Sequence, residues 1–170
     1  MKNFMNALLD KFIGLLESET GLYQALLSVL KKEKNAVVAS NLKALKEAGK
    51  EKEPLLRKIR ILEEQRMHML KRLADFLGYS SQDLTLTKLS QLLEEPYAIR
   101  LKVCCLSLLE LTQNIKKVNH SNKALLMHSL DIVRGSLILL DNIITTTPVY
   151  YRTGEIQNKD RCGKLLSGKI

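Results

Sequence analysis

The chain has 170 residues, 45% of them apolar but only 5% aromatic, with 34 Leu against 8 Gly and 3 Pro, and a formal net charge of +9. A chain of this length buries about two thirds of its unfolded surface without disulfides or metals. Its Leu-rich, Gly-poor composition excludes a sandwich, a barrel or a parallel sheet and predicts an all-α fold. The longest stretch without Asp, Glu, Lys or Arg is the eleven residues Thr20 to Leu30, about half of a membrane-spanning helix. No membrane insertion and a cytoplasmic location are therefore expected.

In chain order, residues 3–38 carry Met5, Leu8, Phe12, Leu15, Leu22, Leu26 and Val29 on one helix face, with Glu19 as the only interruption. Ala39-Ser40-Asn41 is the first turn, and Ser40 or Asn41 can cap the next helix. That second helix spans 42–77 and ends at Gly78; its seam is Leu55, Ile59, Leu62, Arg66, Met69, Leu73 and Phe76. Pro54 predicts a kink or short break near Glu53. The two helices form an antiparallel hairpin.

A polar turn from Tyr79 to Asp83 leads to a short helix at 87–94, closed by Pro96. A long helix follows over 97–146, roughly 70 Å if continuous, and Thr145-Thr146-Thr147-Pro148 stops it. Residues 149–170, with three glycines and scattered charge, read as a mobile C-terminal tail. The expected organisation is an elongated antiparallel bundle or coiled coil of three long helices and one short one over 1–148, followed by that tail.

On the long helix, Leu101, Leu108, Ile115 and Asn122 form one heptad line, with Cys105, Thr112, Asn119 and Leu126 forming another. Asn119 and Asn122 thus fall in the seam, where a buried Asn specifies register at a cost in stability. Their replacement by Leu is expected to leave stability unchanged or raise it. Glu19 and Arg66 are seam charges that must pair or reach the rim, so the four residues make a structural polar seam.

Charge and motifs argue against catalysis. Between Lys43 and Arg72, ten cations alternate with five acids, the pattern of a solvated helix face. No zinc spacing, phosphate-binding loop or nucleophile elbow is present, and His120 with Lys123 matches a phosphotransfer site at only two positions. The expectation is a protein that is not an enzyme, with no cofactor and no metal. A basic nucleic-acid-binding module rests on charge alone. The vicinal Cys104 and Cys105 point to different sides of a helix and read as reduced core residues.

The late part of the long helix continues apolar through Leu130, Val133, Leu137, Leu140 and Ile144, beyond what a 36-residue hairpin covers. An uncovered stripe marks a site for a partner's amphipathic helix, with a homodimeric structural coiled coil as the competing reading.

A family resemblance joins these features. Leu15-Leu16, Glu19, Leu26-Leu27 and Glu33, then Leu42-Lys43-Ala44-Leu45 to Lys52-Glu53, Leu62 to Arg66, Val118-Asn119-His120-Ser121-Asn122 with Leu125-Leu126, and Tyr151-Arg152-Thr153-Gly154 resemble the FlgN-type flagellar export chaperones. The resemblance implies a small helical protein that binds hook-filament junction (hook-associated) proteins before type III export. It also implies that Tyr150 or Tyr151, with Gly154, forms a tail element read by the flagellar export gate.

Overall fold

The computed structural model describes residues 2–80 and 84–145, with side chains over 4–80 and 84–143. Four helices follow in order: α1 Lys2–Val38, α2 Leu42–Leu77, α3 Leu86–Leu92 and α4 Tyr97–Thr145. The chain divides into two compact units, residues 1–125 and 126–170.

In the first unit, α1 and α2 form the expected antiparallel hairpin. Asn41 is the N-cap of α2, its Oδ1 accepting the Ala44 N–H at 3.0 Å, which satisfies one of the orphan donors of the first turn and contributes about 1 kcal/mol. At the other end Gly78 adopts φ +73°, the left-handed conformation that lets the Tyr79 N–H turn back to the Ala74 carbonyl. Pro54 lies inside α2, which runs through it without a break. Its missing N–H falls on an exposed face, opposite the Lys50 carbonyl, whose residue is exposed as well.

Between the two helices lies a heptad ladder of alternating chemistry. Phe12, Glu19, Leu26 and Glu33 ascend α1 in steps of seven while Leu73, Arg66, Ile59 and Lys52 descend α2 in the same steps. Phe12 and Leu73 share one apolar cluster, and Leu26 and Ile59 share another. Glu19 meets Arg66 at 3.0 Å, and Glu33 meets Lys52 at 2.6 Å. Apolar and ionic layers therefore alternate along the hairpin.

α4 packs parallel to α1. Near its start the Tyr97 hydroxyl donates to Asp10 at 3.1 Å, and Arg100 bridges Asp10 and Glu17; farther along, Asn122 reaches Leu30 and Glu33. Because α1 is flanked by both α2 and α4, it buries Leu9, Ile13 and Leu16 as well as Leu8 and Phe12. The larger cluster joins these to Leu70, Leu73 and Ala74 of α2, Leu84, Leu89 of α3, and Leu101, Cys104 and Leu108 of α4. Each fully buried side chain of this kind contributes about 1.5–3 kcal/mol. Phe76, expected in the seam, is instead exposed and packs on Phe4 at a ring separation of 6.1 Å, because the helix turns Ala74 inward at that level.

In the second unit the described residues are the end of α4. Every described side chain from Met127 to Ile143 is exposed. Arg134 and Asp131 approach at 3.8 Å one turn apart, and the Ser136 hydroxyl donates to the Ile132 carbonyl.

Candidate functional site

Two polar nodes occupy the first unit. In one, Glu19 is buried to 2% exposure and faces Arg66, while the Tyr23 hydroxyl donates to Glu63 Oε1 at 2.7 Å. Burial pushes the Glu19 carboxyl above the ordinary carboxylate value, a rise that the Arg66 guanidinium and the Tyr23 hydroxyl oppose. Burial and the neighbouring carboxylates of Glu63 and Glu19 raise the Tyr23 phenol. In the other node the buried Glu33 carboxylate takes Lys52 on one oxygen and the Asn122 amide, at 2.9 Å, on the other. The same amide nitrogen donates to the Leu30 carbonyl at 2.8 Å, so one Asn ties α4 to both the backbone and a side chain of α1. Arg66 and Glu63 of the first node line an open surface depression with Arg60, Glu64 and Met67, and among the described residues no group of three or more His, Cys, Asp or Glu is placed to hold a metal.

Of the four residues read as a polar seam, the structure brings Glu19 and Arg66 together and buries Asn122 to 1% exposure, but it places Asn119 in solvent. The expectation for Asn119 is corrected. α4 turns Leu101, Cys104, Leu108, Ile115, Val118 and Asn122 toward the hairpin, so the second line lies three residues after the first rather than four. Val118 supplies an apolar contact to the Leu26 cluster where Asn119 would supply none. Thr112 satisfies its hydroxyl on its own helix, at the Leu108 carbonyl. Cys104 is buried and Cys105 half-buried, and burial raises both thiols.

The other expected residues lie on or after the end of α4. Leu130, Val133, Leu137 and Leu140 are all exposed, Leu137 at 47% and Leu140 at 55%. The side chain of Ile144, and Tyr150, Tyr151 and Gly154 altogether, lie outside the described residues. Among the described residues, no helix is long and apolar enough to cross a membrane.

Comparison with known proteins adds one finding: the family described as FlgN protein matches residues 1–158 of the chain. The chain belongs to the FlgN family. Searches of curated proteins and of solved structures return no match. Membership gives the function class, that of a flagellar export chaperone.

Within this FlgN-family bundle, sequence reasoning missed the roles of Glu33 and Lys52. Their signal was present: Glu33 stands two heptads after Glu19, and Lys52 two heptads before Arg66. A second polar layer was therefore written in the same period as the first, on both helices at once.

Proposed function

We propose that this FlgN-family chain holds a hook-filament junction (hook-associated) protein in an export-competent state by receiving an amphipathic helix of that partner along Leu130, Val133, Leu137, Leu140 and Ile144. The observation that supports the reading is the exposure of nine large apolar side chains within the seventeen residues Met127 to Ile143. Such a surface on a single helix exceeds what scattered exposed residues explain and fits a helix-in-groove contact. The spacing of 3, 4 and 3 from Leu130 to Leu140 puts four of these side chains on one helix face. In this reading the tail carrying Tyr150, Tyr151 and Gly154 engages the flagellar export gate in the cytoplasm and takes no part in holding cargo.

A binding titration of the full chain with a hook-associated protein tests the cargo contact. Leu137→Asp and Leu140→Asp each remove an anchor worth about 2 kcal/mol, an approximately thirtyfold loss in affinity, while thermal melts stay unchanged because both positions are exposed. Unchanged affinity overturns the stripe as the site. Sedimentation of the free chain separates cargo binding from self-association: if the same substitutions dissolve a dimer and leave cargo affinity intact, the stripe is a homodimer seam. Truncation after Pro148 should preserve cargo binding and abolish secretion, and retained secretion refutes the role of the tail.

A further inference from the structure

The net charge of +9 is not spread over the molecule. Residues 31–60 and 111–125 together hold thirteen Lys and Arg against four Glu, a balance of +9, while the remaining 125 residues balance fourteen cations with fourteen acids. These two segments are neighbours in space. The antiparallel hairpin turns at Ala39–Asn41, and α4 reaches the same level of the bundle where Asn122 meets Leu30 and Glu33. The whole formal charge is thus gathered at the hairpin-tip half of the first unit.

Local pairing does not neutralise it. Lys32 and Lys52 are held by Glu51 and Glu33, and Arg57 and Arg60 by Glu53 and Glu64. Lys31, Lys34, Lys43, Lys46, Lys50 and Lys58 are exposed and make no ion pair among the described residues, and the same holds for Lys116, Lys117 and Lys123 of α4. At the apex stand two apolar side chains, Val38 at 69% and Leu42 at 64% exposure, one on each side of the turn. Apolar residues at the apex of a lysine-studded hairpin carry no advantage in water.

We propose that this tip is a docking surface for an anionic lipid bilayer, with Val38 and Leu42 entering the headgroup layer and the surrounding lysines meeting its negative charge. Charge complementarity selects an anionic ligand. The apolar apex selects a lipid surface over a nucleic acid: residues 31–60 contain no aromatic side chain on which a base could stack, and a phosphate backbone has no use for Val38 or Leu42. The contact is peripheral and reversible, since two short apolar side chains insert far less than a lipid chain or an amphipathic helix. It uses residues distinct from the α4 stripe and stands or falls separately from the cargo reading.

Flotation of the full chain with vesicles of phosphatidylcholine, and of phosphatidylcholine and phosphatidylglycerol in equal parts, tests it. Binding is expected to the mixed vesicles alone and to fall steeply with salt. Each basic residue at an anionic surface contributes about a fivefold gain in partitioning. The double reversal Lys43→Glu with Lys46→Glu should therefore lower binding by more than about twenty-five-fold, with unchanged circular dichroism. The control reversal Lys71→Glu with Arg72→Glu, at the neutral end and equally exposed, should change it several-fold less. Val38→Ser with Leu42→Ser should weaken binding that persists at moderate salt. No preference for the mixed vesicles, equal losses from tip and control reversals, or indifference to the apolar substitutions would each overturn the proposal. So would tighter binding of a single-stranded oligonucleotide that depends on the same lysines, which would reassign the tip to nucleic acid.

Discussion

Replacing Asn122 by Leu separates two accounts of a buried amide. As a bare register device, its replacement would be neutral or stabilising. The structure argues for the opposite sign. The Asn122 amide donates to the Glu33 carboxylate and to the Leu30 carbonyl, and removing it forfeits one charge-assisted bond of about 1.5–3 kcal/mol and one neutral bond of about 0.5–1.5 kcal/mol. Against this, Asn122 Oδ1 is buried without a hydrogen-bond partner among the described residues, and Leu relieves that cost and adds apolar burial, together about 1–2 kcal/mol. The net expectation is a loss of about 1–3 kcal/mol. With a urea m-value of about 2 kcal/mol per molar, the unfolding midpoint falls by about 0.5–1.5 M. Asn119→Leu, at an exposed position on the same helix, should stay within about 0.5 kcal/mol of the parent. In a Glu33→Gln background the penalty of Asn122→Leu should shrink, because the bond that is lost is then no longer charge-assisted. A midpoint that rises in Asn122→Leu, or a penalty unaffected by Glu33→Gln, refutes the reasoning.

Further outcomes follow from the burial of single groups. Glu19 has a folded pKa above its unfolded value, so its contribution to stability is fully present below the unfolded pKa and is lost as pH rises through the folded one. The parent should accordingly gain stability relative to Glu19→Gln as pH falls from 7 toward 5, and parallel pH profiles for the two proteins would contradict this. Arg66→Met, at a half-buried position, should cost about 3 kcal/mol, since it leaves Glu19 unpaired; the double variant Glu19→Leu with Arg66→Met should recover most of the loss in the same melts. Cys104 and Cys105, with thiols raised by burial, should react with iodoacetamide at pH 7.5 much more slowly than a free thiol, as peptide mapping after timed quenching would show.

Much of the fold was legible because helices announce themselves by period. The 3,4 spacing of α1 and α2, the Asn41 cap and the Gly78 stop lie within the chain's own local chemistry, and each stands where the pattern placed it. What the sequence left open was rotation. A helix such as α4 carries two candidate second lines, one including Asn119 and one including Val118, and only the surface beneath it decides which turns inward. Phe76 shows the same limit: its heptad position fits the seam, yet the third helix and the small Ala74 shift the inward face by one residue. The apolar stripe of α4 was visible as a surplus of Leu and Ile; its partner is a property of another molecule and is written in no part of this chain.

The alternating ladder between α1 and α2 works as a combination lock on chain alignment. Leucine-rich helices are prone to slide by whole heptads, since Leu opposite Leu looks much the same one step along. Here a slip of seven residues would set Glu19 against Ile59 or Leu73, and Glu33 against Ile59 or Leu45. Each such mismatch strands an ion among hydrocarbon, at several kcal/mol apiece, while sparing little of the apolar contact. The ionic rungs therefore add little to the depth of the native well and much to the height of its neighbours. The hairpin is thereby held to one alignment, while the large apolar side chains from Met127 to Ile143 stay exposed.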